Sequence, residues 1–158
     1  MVVLIRGSFW RASYDLTLME DLAADGAARG WAAWNIEYRR VGQDGGGWPG
    51  TFADAAAALD HLSTISDHPA TPLDLGRVAV VGHSAGGRMP TGVPTRCMHG
   101  TADDIVPIDQ SERYVAAATR AGDDAVLAPF DGDHSAVLDP THESWADTVT
   151  WLRPFLDP

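Results

Sequence analysis

Lysine is absent from this chain: all eleven basic residues are Arg. That excludes Schiff-base chemistry, a Ser-Lys dyad and a lysine-bearing phosphate loop, since each needs an ammonium side chain. Positive charge is scarce overall, with 11 basic against 22 acidic residues and a net charge of -11. Nucleic acid is therefore not expected as a partner, because a phosphate-backbone binder needs a basic footprint. Docking on an anionic membrane is not expected either. Cysteine is nearly missing too. Cys97 stands alone between Arg96 and Met98, so no internal disulfide can form. Free cysteine packs as a small apolar residue, so a buried inert thiol is expected there. Long apolar runs are also lacking. No segment is predicted to span a bilayer, and the opening Met1-Val2-Val3-Leu4-Ile5 is cut short by Arg6, unlike a signal peptide. A cytoplasmic location is the expectation.

What is present alternates between strand and helix signals. With 158 residues the chain is predicted to be one domain, 1–158, large enough for one real core. Val2 to Ile5 is a continuous, mostly β-branched apolar run and reads as a strand covered on both faces. Arg6 to Trp10 turns away. A helix is expected from about Tyr14 to Arg29, capped by Ser13 and ended by Gly30. Trp31 to Tyr38 reads as a second strand, and the glycine-rich stretch Val41 to Gly50 as a loop. Thr51 is expected to cap a helix running to about Ser63. After a Pro- and Asp-rich connection that includes His68, further strands are predicted at Arg77–Val81, Pro94–His99 and Ala125–Phe130. Helices are predicted from Asp109 to Ala121 and from Thr141 onward. This order predicts an α/β fold with a mainly parallel sheet and helices on both faces.

The third strand leads into Gly82-His83-Ser84-Ala85-Gly86, a G-x-S-x-G pattern. A strand that ends in a sharp, small-residue turn lifts a serine hydroxyl above the sheet edge. The backbone N–H of Ala85 would then face a developing oxyanion. Ser84 needs an imidazole to take its proton. In the chain order nucleophile, acid, base, only His134 and His142 can follow an acid placed after Ser84, and His134 is favoured. Asp103 and Asp104 lie just past a strand, where α/β sheets carry functional loops. Asp131, Asp133 and His134 lie close enough to raise a metal reading, but no second His or Cys stands at ligand spacing, so no metal and no organic cofactor are expected.

His99-Gly100-Thr101-Ala102-Asp103-Asp104-Ile105-Val106-Pro107 resembles the H-G-x-x-D-x-x-V-P segment of α/β-hydrolases, and this resemblance selects Asp103 as the acid. Gly132-Asp133-His134 resembles the segment that supplies the histidine. Arg6-Gly7-Ser8-Phe9-Trp10 is similar to the H-G-G-F-W oxyanion turn, and Asn35 to Arg40 to the strand and loop after it. The likeness is to the esterase, lipase and kynurenine-formamidase-like group and runs over nearly the whole chain. It implies a catalytic triad of Ser84, His134 and Asp103, with oxyanion donors at Ala85 and at Ser8 or Phe9. Trp10, Tyr38 and Trp48 are then candidates to line a substrate pocket.

Two departures stand out. Arg6 and Ser8 replace the first and third residues of H-G-G, which puts a charge where the family has an imidazole and a side chain where it has none. Ser84 and Asp103 are also only 19 positions apart, with Pro90 soon after the elbow, so the helix there is expected to last a turn or two. The chain thus looks like an α/β-hydrolase fold shortened between the nucleophile and the acid strand and lacking the usual first strands. An under-covered sheet face would favour a homodimer or a marginal fold. The functional expectation is a serine hydrolase acting on a small carboxylic ester or amide. An arylformamidase-like amidase is a narrower alternative. A non-catalytic remnant or binding module is the other.

Overall fold

The computed structural model describes residues 1–66, 72–88 and 94–157. They divide between two compact units, one within residues 1–89 and 148–158, the other within residues 90–147. His68 and Pro90 lie outside the described residues.

The first unit is built on a three-stranded parallel sheet. Its strands are β1 (Val2–Ile5), β2 (Ala33–Ile36) and β3 (Ala79–Gly82), in the order β2-β1-β3. Val2 pairs with Ala33 on one side and Ala79 on the other, and Ile5 with Ile36 and Gly82. The central strand is apolar at every position because both of its faces are covered. Successive side chains point to opposite faces. Val3 and Ile5 pack with Ile36 and Tyr38 against Ala55 and Leu62 of α2 (Gly50–Ile65). On the other face Val2 lies beside Gly26 of α1 (Glu20–Ala28). All four side chains of β1 are at most 1% exposed, and each such burial stabilises the fold by about 1.5–3 kcal/mol.

The sequence expectation for α1 needs one correction. Its approach is capped by Asp15, not Ser13: the Asp15 carboxylate accepts the Thr17 N–H at 3.0 Å and opens a 3-10 turn over Leu16–Met19. Asp caps as well as Ser, and its charge suits a helix start better. The chain leaves α1 through Gly30 at φ 89, as expected. Thr51 is likewise no cap. It sits inside α2, where its buried hydroxyl donates to the Arg39 carbonyl and accepts the Gly47 N–H, tying the glycine loop to the helix. Asp54 pairs with Arg39 at 2.7 Å.

The second unit carries β4 (Thr95–Gly100) and β5 (Ala125–Phe130), a parallel pair in register from Thr95–Ala125 to Gly100–Phe130. Helix α3 (Asp109–Ala121) connects them and ends at Gly122, φ 97. Cys97, expected to be buried, is half-buried in β4. Burial still pushes its thiol pKa up, with the Ser111 hydroxyl pulling the other way. Helix α4 (Glu143–Leu156) starts two residues after the expected Thr141, whose N–H and hydroxyl instead bond the Asp139 carboxylate. Within the first unit, Val149, Leu152 and Leu156 of α4 are buried and the Trp31 indole N–H donates to Asp157 at 2.9 Å. Among the described residues no helix is long and apolar enough to cross a membrane.

Candidate active site

Strand β3 delivers the chain to Gly82 and then to a tight turn. Ser84 sits there at φ 53, in the left-handed region, and opens a short 3-10 turn, Ser84–Arg88. A non-glycine residue held at positive φ costs about 1–2 kcal/mol, so the surrounding structure must enforce it. The enforcement is visible. The His83 N–H donates to the Ile5 carbonyl at 3.0 Å and the Gly86 N–H to the His83 carbonyl at 2.8 Å. Gly86 packs so tightly on the end of β1 that a Cβ there would overlap the Ile5 carbonyl oxygen. The G-x-S-x-G segment thus forms a tight turn directly after β3.

A second strained turn meets the first. Ser8, Phe9 and Trp10 have φ of 67, 53 and 57. Three successive non-glycine residues are therefore left-handed, including the serine that stands where the resemblance has glycine. Gly7, just before them, lies directly against the elbow: a Cβ on it would be 2.6 Å from the Ser84 Cβ and 3.0 Å from the Ala85 nitrogen. Gly7, immediately before the expected oxyanion donors Ser8 and Phe9, thus lies against Ser84 and the third expected donor, Ala85, within the first unit.

The first unit also holds the aromatic candidates. Trp10 is half-buried, Trp48 is 81% exposed, and both rings contact Phe52, at centroid distances of 5.4 and 5.0 Å. Phe52 has no signal in the sequence, where it reads as one more residue of a helix start. Tyr38 behaves differently from the pocket role expected for it. It is 4% exposed, and its hydroxyl donates to the Arg6 carbonyl at 2.7 Å and the Gly7 carbonyl at 3.2 Å. Burial pushes its pKa up to about 12, so the phenol keeps its proton.

In the second unit, the loops after β4 and β5 bring Asp103 to His134. The His134 Nδ1 stands 2.7 Å from Asp103 Oδ2. A carboxylate only accepts, so Nδ1 carries the proton and the lone pair of the neutral ring is on Nε2. Asp103 Oδ1 accepts the N–H groups of Ile105 and Val106, each at 2.9 Å. Burial pushes the Asp103 carboxyl up, but the Val106 N–H, the His134 imidazole and the Ile105 N–H together outweigh it and hold the pKa below the usual carboxylate range.

His99, at the end of β4, supports that loop. Its Nε2 bonds the Val106 carbonyl at 3.0 Å, which requires a proton on Nε2, and its Nδ1 then accepts from the Ser111 hydroxyl at 2.7 Å. Sequence reasoning quoted His99 only as part of a motif and gave it no role. Asp104 is exposed, and Asp133 accepts the Ser135 and Ala136 N–H groups in its own turn. His142 bonds the Ser144 hydroxyl at 2.9 Å. Among the described residues no group of three or more His, Cys, Asp or Glu side chains is gathered as metal ligands.

A family model described as BD-FAE matches residues 1–91. Solved structures are similar over nearly the whole chain. MGS-M1, an alpha/beta hydrolase enzyme from a Medee basin deep-sea metagenome library, is 18% identical, with a TM-score of 0.79 over 99% of this chain and 84% of its own. A thermophilic esterase of the Planctomycetes species Thermogutta terrifontis, Est2 with propionate bound, is 18% identical, with a TM-score of 0.78 over the same shares of 99% and 84%. Thermogutta terrifontis esterase 2 phosphonylated by cyclosarin follows at 17% and 0.77, again over 99% of this chain and 84% of that one. At these identities the likeness is one of fold. No curated protein matches the chain.

Proposed function

The chain belongs to the BD-FAE family, an α/β-hydrolase family, and on that premise we propose that it is a serine hydrolase cleaving a small carboxylic ester or amide. The observation that carries this reading is Ser84 at φ 53, packed against the Gly7 turn. A protein keeps a strained serine at the mouth of two converging turns when the hydroxyl has chemistry to do.

In this reading the Ser84 hydroxyl attacks the substrate carbonyl carbon as its proton passes to His134 Nε2. Asp103 fixes the imidazole and stabilises its cation. The N–H of Ala85, with that of Ser8 or Phe9, takes the oxyanion of the tetrahedral intermediate. Collapse breaks the bond to the leaving alcohol or amine, which takes the proton from His134. Water, activated by the same imidazole, then hydrolyses the acyl-Ser84 ester and releases the carboxylic acid. Trp10 and Trp48, joined by Phe52, offer an apolar wall for the acyl or leaving group. That aromatic wall is also what favours the narrower arylformamidase-like reading, in which an arylformamide is the substrate.

A fluorophosphonate probe tests the proposal. The phosphonylated Thermogutta esterase makes organophosphorus reagents a natural choice. Wild type should label and Ser84→Ala should not, with His134→Ala slowed by several orders of magnitude. A folded wild type that takes no label would favour the non-catalytic remnant. Hydrolysis of an N-formylaniline at a rate matching phenyl acetate would favour the formamidase variant.

A further inference from the structure

Arg6 is wholly buried, an uncommon place for a guanidinium. Such a charge is tolerated when it is paired and hydrogen-bonded. Arg6 Nε and Nη2 both donate to Glu37 Oε1, at 3.1 and 2.6 Å. The cation lies 4.2 Å from the centroid of the Tyr38 ring, and Nη1 donates to the Gly7 carbonyl at 3.3 Å. Glu37 is itself anchored, its second oxygen accepting the Leu16 N–H at 3.1 Å. The Tyr38 hydroxyl completes the arrangement by donating to the carbonyls of Arg6 and Gly7.

The Gly7 carbonyl thus takes two donors. Its peptide group is planar and trans, so the Ser8 N–H points to the side opposite that carbonyl. Rotating the Gly7–Ser8 peptide would break both bonds. Something must resist that rotation, because Ser8, Phe9 and Trp10 all stand at positive φ without being glycine. The turn does not hold itself by its own backbone preference.

We propose that Arg6, Glu37 and Tyr38 are positioning residues, a buried lock that sets the Gly7–Ser8 peptide so that its N–H serves as an oxyanion donor. This rests on the serine-hydrolase reading above. Arg6 then replaces the imidazole of the H-G-G pattern with a different device, an ion pair to β2's exit and a phenol clamp. The competing view is that the three merely hold the sheet together, and the two views differ in what they predict for the transition state.

Tyr38→Phe keeps the ring over the guanidinium and deletes only the clamping hydroxyl. With p-nitrophenyl acetate as substrate, kcat should fall roughly tenfold to a hundredfold while KM stays within about twofold, since oxyanion donors act on the transition state. Trifluoroacetophenone, which forms a tetrahedral adduct on the serine, should bind more weakly by the same factor, and the product acetate should bind unchanged. Glu37→Gln, at the more exposed end of the lock, should show the same split and serves if Tyr38→Phe does not fold. A variant that only melts earlier, with kcat and adduct affinity as in wild type, overturns the proposal alone. A wild type that neither hydrolyses the ester nor labels at Ser84 removes the serine-hydrolase reading, and this inference falls with it.

Discussion

His134 Nδ1 lies 2.7 Å from Asp103 Oδ2, on a carboxylate whose other oxygen is already held by two backbone N–H groups. The acid is therefore fixed before it meets the imidazole, and it dictates which ring nitrogen carries the proton. Asp103→Asn should keep the loop but lose that instruction, because an amide can present its NH2 to Nδ1 and invert the tautomer. A drop in kcat of about 10⁴-fold is expected, the size seen when a triad acid is amidated. Steady-state hydrolysis of p-nitrophenyl acetate measures it, and a loss under tenfold would overturn the proposed catalytic role of Asp103.

The same carboxyl should govern acid stability. Its native pKa is depressed, so the stabilisation is complete above the unfolded value, near 3.9. It is lost as pH falls from there through the native value. Thermal melts of wild type and Asp103→Asn should differ at pH 7 and begin to converge only as pH falls below about 4. A gap that stays constant across that range would mean the charge of Asp103 contributes nothing to folding.

Much of this arrangement is legible in the residues themselves. The run Val2–Ile5 is apolar throughout because both faces of β1 are covered, and it was readable for that reason. Asp103 and His134 were found through their motifs, and the structure brings them together. What the sequence hid are contacts between residues distant along the chain. Tyr38 reads as an aromatic on one strand face, suited to a pocket or a core alike, and only the fold shows its hydroxyl on the Arg6 and Gly7 carbonyls. Glu37 reads as a solvated acid until Arg6 is placed beside it, 31 positions away in sequence. Ser13 reads as the cap but Asp15 takes that place, because several such residues crowd one turn and each can do the task. Phe52 was invisible because a phenylalanine at a helix start carries no periodic signal of what its ring touches.

Gly7→Ala should be among the most damaging small changes available. The added methyl would overlap the His83 carbonyl oxygen and press on the Ser84 Cβ and the Ala85 nitrogen. All three belong to the turn around Ser84, two of them to backbone that cannot swing aside. Forcing the turns apart should destabilise the protein by about 1–3 kcal/mol and slow fluorophosphonate labelling of whatever remains folded. Urea denaturation and labelling rates check both parts. Wild-type stability would mean the two turns are not in contact.

Ser84 itself offers a cleaner separation of strain from chemistry. At φ 53 any side chain with a Cβ is strained, whereas glycine is not. Ser84→Gly should therefore abolish activity and raise stability by about 0.5–1 kcal/mol, the relief being partly offset by the greater freedom of glycine in the unfolded chain. Ser84→Ala removes the same hydroxyl but keeps the Cβ, so it should lose activity without that gain. The comparison matters more than either variant, because both are inactive and only the backbone term differs. If glycine melts higher than alanine, the serine at this position is held against its own conformational preference. Equal melting temperatures would mean that the turn is relaxed as it stands and that Ser84 is not held in strain for any chemistry.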